Sequence, residues 1–133
     1  AAKGVPTDQI KLVDLGYRPY STLFTTQKMI DENPELVQEV VDRLRAAFVK
    51  SLNNPDPTAD LILSKSKKVT RDIHMNAIEL IKAEFLPKDY SKLGCMKSER
   101  WDELAGQLKQ VDMVPADFDP SASYNLSFMG NCE

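Results

Sequence analysis

The amino-acid sequence predicts a mainly α-helical chain with two short β-strands near its N-terminus. Three observations predict it. Apolar residues recur at helical spacing beyond residue 33, as in Val37, Val40, Val41, Leu44, Phe48 and Leu52. Asn, Thr, Ser and Pro bracket such segments where helices start and stop. β-Branched and aromatic residues gather instead between residues 10 and 26.

Residues 10–15 (IKLVDL) alternate apolar and polar, as a half-buried strand does, and Gly16 ends the run. Residues 20–26 (YSTLFTT) form the second expected strand. Gly16, Tyr17, Arg18 and Pro19 make the turn between them, because Pro19 fixes its own φ and biases Arg18 away from helix.

A short helical turn is expected over residues 27–31. The sequence Asn33-Pro34-Glu35 then starts the longest helix. Asn33 suits the cap, Pro34 the first helical position, and Glu35 the positive end of the dipole. This helix should run to about Leu52, where Asn53-Asn54-Pro55-Asp56-Pro57 stops it. A shorter helix follows over residues 58–64, with Leu61 and Ile62 inward. Thr70 caps the next, whose stripe is Ile73, Ala77, Ile78, Ile81 and Phe85, and Pro87 ends it. Residues 88–97 connect to a last helix capped by Ser98, with Trp101, Leu104, Ala105, Leu108 and Val111 on its buried side. The tail, with Pro115, Pro120, Tyr124, Leu126, Phe128 and Met129, should fold back on the body.

Each helix has an apolar stripe about one face wide and so needs a partner layer. Two strands alone do not make a stable sheet. Part of the fold is therefore expected to come from elsewhere, from missing sequence or a partner chain.

The length of 133 residues allows one domain with a core that needs no metal or disulfide. Seventeen Lys and Arg against 20 Asp and Glu give a net charge of −3. That balance excludes a basic footprint for nucleic acid or an anionic membrane. No apolar run reaches the roughly 18 residues of a membrane span. The start, Ala1-Ala2-Lys3-Gly4-Val5-Pro6, has neither an initiator Met nor a signal-peptide core, and is expected to belong to a mature, processed or partial chain. Cys95 and Cys132 leave two readings open, a pair of unrelated thiols or one bridge in an oxidising compartment.

Candidate chemistry is sparse. His74 is the only histidine and lacks the company a metal site needs. It is also the only base available to Cys95 as a nucleophile. The glycines, at positions 4, 16, 94, 106 and 130, form no phosphate loop. Asp112, Asp117 and Asp119 do not follow calcium-loop spacing. Lys65, Lys67, Lys68 and Arg71 make a small basic patch, expected to be a solvated loop and cap. Asn125-Leu126-Ser127 matches the glycosylation sequon, a short pattern frequent by chance. No catalytic residue, metal site or cofactor is implied. The turn bearing Tyr17, Arg18 and Tyr20 is the candidate ligand-binding site, because aromatic walls plus one guanidinium suit a small planar or anionic solute.

Taken in order, the phrases resemble a known family. They are Tyr20-Ser-Thr-Leu-Phe-Thr-Thr, Glu32-Asn33-Pro34-Glu35-Leu36-Val37, the break at Asn54-Pro55, the helix centred on Trp101, and the ending Tyr124-Asn-Leu-Ser-Phe128. Together they resemble the C-terminal part of periplasmic solute-binding proteins of ABC importers, of the nitrate, sulfonate, taurine and thiamine-pyrimidine-precursor type. The resemblance spans about residues 10 to 130. It implies the C-terminal segment of a two-lobed α/β binding protein (type II) lacking its N-terminal lobe, in a periplasmic or other extracytoplasmic location. The implied partners are a small anionic or heteroaromatic solute, the membrane permease of the importer and the missing lobe. Neither nucleic acid nor direct membrane insertion is implied. One branch of that superfamily synthesises the thiamine pyrimidine with pyridoxal phosphate, a sacrificed histidine and a cysteine-rich motif. Nothing in this chain matches that chemistry, so the chain is expected not to be an enzyme. A free-standing helical interaction domain is the other alternative.

Overall fold

The structure is a computed structural model that describes Ile10, residues 22–84, residues 86–130 and Cys132. Most of these residues are helical, and no strand occurs among them. The expected strand over residues 10–15 lies outside the described residues except for Ile10. The expected strand over residues 20–26 is corrected in its described part, because residues 22–26 carry no ladder. An extended segment needs neighbours to pair with, and none among the described residues pairs with it. Thr26 serves a different end there.

Among the described residues five α-helices follow in order: α1 (Gln27–Glu32), α2 (Pro34–Asn53), α3 (Asp56–Lys65), α4 (Arg71–Glu84) and α5 (Ser98–Gln110). Two single 3₁₀ turns, Tyr90–Lys92 and Pro120–Ser123, occupy the connection and the tail. Thr26 caps α1 by accepting the Met29 N–H on its hydroxyl at 3.1 Å. Pro34 opens α2 as expected, but the Asn33 side chain makes no capping hydrogen bond. Asn33 instead closes α1, its backbone N–H donating to Met29 O at 3.0 Å. Thr70 lies before α4 and accepts the Ile73 N–H at 3.3 Å. At α5 the cap position is Lys97, and Ser98 is the first helical residue.

α5 ends in a hydrogen-bond pattern that closes a helix through a left-handed residue. Met113 N–H reaches back to Leu108 O at 2.9 Å and Asp112 N–H to Lys109 O at 3.2 Å. Asp112 itself takes φ +55°, a position glycine usually fills.

Packing is sequential. α1 rests on α2, α2 on α3, α3 on α4, and α5 on the Pro120–Ser123 turn. The buried hydrophobic residues described are Leu52, Ala59, Ala105 and Met129. Arg71 draws α3 and α4 together by donating to Asp56 Oδ1 at 2.6 Å and to Asp60 Oδ1. Arg71 is therefore paired with carboxylates rather than part of a free basic patch.

The tail crosses back over α2. Cys95 is bridged to Cys132, which closes a loop with a sequence separation of 37. Of the two readings left open for the cysteines, the bridge is the one found.

Candidate functional site

The turn singled out from the sequence, Tyr17, Arg18 and Tyr20, lies outside the described residues. Among the described residues no group of His, Cys, Asp and Glu is arranged to hold a metal ion. His74 sits half-buried on α4 with its Nε2 shielded, and that atom has no hydrogen-bond partner among the described residues. The positions that stand out are two apolar surfaces and the clamp that holds the tail.

The first surface runs along α2. Leu36, Val40, Leu44 and Phe48 recur every fourth residue and drift slowly around the helix. All four are exposed, at 49%, 45%, 45% and 50%. The sequence places Val40, Leu44 and Phe48 on the same stripe as Val37, Val41 and Leu52, with Leu36 outside it, but the structure splits that stripe. Leu52 is buried, Val37 and Val41 are half-buried, and the other three face outward with Leu36. The reason lies in what the inward face carries. Gln38, Arg45 and Leu52 repeat at seven-residue spacing and so stack along one line of α2. The tail crosses that line at Gln38 and Arg45, and the apolar shoulder beside it stays open.

The clamp consists of polar side chains that hold backbone carbonyls. Arg45 Nε donates to Leu93 O at 2.9 Å and Arg45 Nη2 to Met129 O at 2.6 Å. Gln38 Nε2 donates to Phe128 O at 3.2 Å. The Met96 N–H points at Met129 Sδ at 2.9 Å. Leu93 lies two residues before Cys95, and Met129 three before Cys132, so Arg45 grips both chains that the disulfide joins. Gly94 and Gly130 take φ +81° and +71°, turning the chain on each side of the bridge at low cost. The sequence contained a signal for Arg45, a cation on the helix line that ends in a buried leucine. Without the fold, its length and charge make it equally at home on the solvent side.

The second surface is a groove of about 190 Å³ between α5 and the tail. Trp101, Leu104, Ala105 and Leu108 form its floor, and Phe118, Pro120 and Ser123 its rim. The Trp101 ring stacks on Tyr124 with centroids 5.3 Å apart and planes 20° apart. The inward positions expected for α5 hold, with Ala105 buried, but Val111 is corrected to 63% exposed. It is the C-cap, just past the last helical residue and immediately before the left-handed Asp112, where the helix face has ended. On α4, Ile73 and Ala77 are likewise exposed while Ile78 and Ile81 are half-buried. α3 packs on α4, and the last residue of the expected stripe, Phe85, lies outside the described residues. Leu61, expected inward on α3, is 61% exposed, and Ile62 is half-buried.

No helix among the described residues is long and apolar enough to cross a membrane. No protein-family model, no curated protein and no solved structure matches the chain.

Proposed function

We propose that this chain is the C-terminal helical part of an extracytoplasmic solute-binding component of an ABC importer, and that it binds a small anionic or heteroaromatic solute without transforming it. The observation that carries the reading is the α2 shoulder of Leu36, Val40, Leu44 and Phe48, apolar and about half-exposed along four turns of one helix. A companion lobe packed on that shoulder would remove it from water, and each such side chain stabilises the assembly by roughly 1 kcal/mol or more when covered. The Cys95–Cys132 bridge supports the location, since structural disulfides persist in oxidising compartments. The family resemblance of the ordered phrases supports the partners, which are the permease and the N-terminal lobe. A cleft ligand needs two walls, and Tyr17, Arg18 and Tyr20 would contribute to one of them.

The test joins this chain to its companion lobe, supplied as a separate protein. Calorimetry should detect association of the two, abolished by Leu44→Glu with Phe48→Glu. The assembled pair should then bind nitrate, an alkanesulfonate or an aminopyrimidine, with Arg18→Ala weakening an anionic solute by roughly 1.5–3 kcal/mol. No association and no solute binding would overturn the reading. The same shoulder also suits a free-standing helical interaction domain. A stable homodimer that buries Leu44 and Phe48 and takes no solute would favour that alternative.

A further inference from the structure

The Asn125-Leu126-Ser127 segment is more than a pattern match, because its side chains are folded on one another. Ser127 donates its backbone N–H to Asn125 Oδ1 at 2.9 Å and its hydroxyl to the same oxygen at 2.6 Å. Asn125 and Ser127 are exposed, whereas Tyr124 and Leu126 beside them are half-buried. Trp101 stacks on Tyr124, and Leu126 O accepts the Met129 N–H at 3.3 Å. The turn is thus anchored on both sides with its amide outward. Among the described residues the Asn125 Nδ2 donates no hydrogen bond.

We propose that Asn125 is a glycan acceptor, a site at which an oligosaccharide is transferred from a lipid-linked diphosphate donor to the side-chain amide. It shares with the reading above only the oxidising compartment marked by the Cys95–Cys132 bridge. An amide nitrogen is a poor nucleophile because its electron pair is delocalised onto oxygen. Two donors on Oδ1 stabilise negative charge at that oxygen, which is the charge that develops as Nδ2 gives up a proton. A turn of the same kind elsewhere in the tail supports this. Asp119 accepts the Ser121 N–H and hydroxyl at 2.9 and 2.8 Å, and those donors hold its carboxyl below the ordinary range. At Asn125 the two equivalent donors converge on a single oxygen. In the transfer, Nδ2 bonds to the anomeric carbon of the donor sugar. The bond from that carbon to the diphosphate oxygen breaks and the diphosphate leaves with the electron pair. One Nδ2 proton passes to a base of the transferase.

The experiment incubates the whole oxidised chain with a purified oligosaccharyltransferase and its lipid-linked oligosaccharide donor, and reads intact mass. The expected result is one added oligosaccharide, retained in Ser127→Thr and absent in Asn125→Gln and Ser127→Ala. Amidase release should convert residue 125 to aspartate. A peptide of residues 121–130 verifies that the transferase is active, and melting curves verify that the variants are folded. An unmodified chain beside a modified peptide would overturn the proposal, and so would equal modification of the folded Ser127→Ala variant.

Discussion

Arg45 and Met129 lie 84 positions apart in sequence, yet the Arg45 Nη2 donates to the Met129 carbonyl at 2.6 Å. The same guanidinium holds Leu93 O, so one side chain fixes both chains that the disulfide joins. Arg45→Ala would leave two half-buried carbonyls without their charged donor. It should destabilise the protein by about 2–4 kcal/mol in urea unfolding. Arg45→Lys should recover little, because an ammonium cannot present two planar donors in a fixed fork. Near-complete recovery by lysine would mean that charge alone matters.

Reduction of Cys95–Cys132 frees a loop with a sequence separation of 37. Chain entropy predicts a loss of roughly 3–4 kcal/mol. Unfolding followed with and without dithiothreitol, and in a Cys95→Ala, Cys132→Ala double variant, measures it. If the bridge and Arg45 act as one clamp, the Arg45→Ala cost should fall in the double variant, because the tail is then already loosened.

Trp101 stacks on Tyr124 and remains half-buried at the floor of the groove. Emptying a fully buried aromatic site costs about 3–5 kcal/mol, but an open site loses less, so Trp101→Ala should cost about 2 kcal/mol. As the only tryptophan, it reports its own surroundings. Tyr124→Ala should shift its emission to longer wavelength, and an unchanged spectrum would argue against the stack.

Asp112 holds φ +55° at the C-terminal end of α5. Only glycine takes that conformation without strain from Cβ. Asp112→Gly should therefore stabilise the protein by about 0.5–1 kcal/mol, net of the extra entropy glycine brings to the unfolded chain. Thermal unfolding should register a rise in Tm, and a fall would mean that the aspartate side chain contributes more than the strain costs.

Asp89 and Asp119 are exposed carboxylates held below their ordinary value of 3.8, first by the backbone N–H of Ser91 and of Ser121. Their folded-state values are depressed, so their contribution is present above 3.8 and fades as pH falls through the folded values. Ser121→Pro would remove the N–H that Asp119 accepts. Denaturation measured from about pH 6 to about pH 2 should then show a shallower loss of stability than in the parent chain. An unchanged slope would assign the acid sensitivity to other groups.

Local chemistry was enough to predict where most helices begin and end. Pro34 at the start of α2, Thr70 before α4, and the prolines and asparagines after Leu52 act through the backbone of their immediate neighbours. So do the apolar stripes as patterns, since helical spacing alone puts Leu44 and Phe48 on one side of α2. Which part of a stripe is covered was a different matter. Leu52 is buried while Phe48 is half-exposed, and the tail crosses their helix at Gln38 and Arg45, on the line that ends in Leu52. That choice depends on contacts between residues some 50 to 90 positions apart, whose closure entropy no local pattern records. The cysteine pairing was undecided for the same reason, since two thiols are compatible with bridge or no bridge until the fold brings them together. Only the tertiary structure set Arg45 against Leu93 and Met129, and with it which apolar surfaces remain open to a partner.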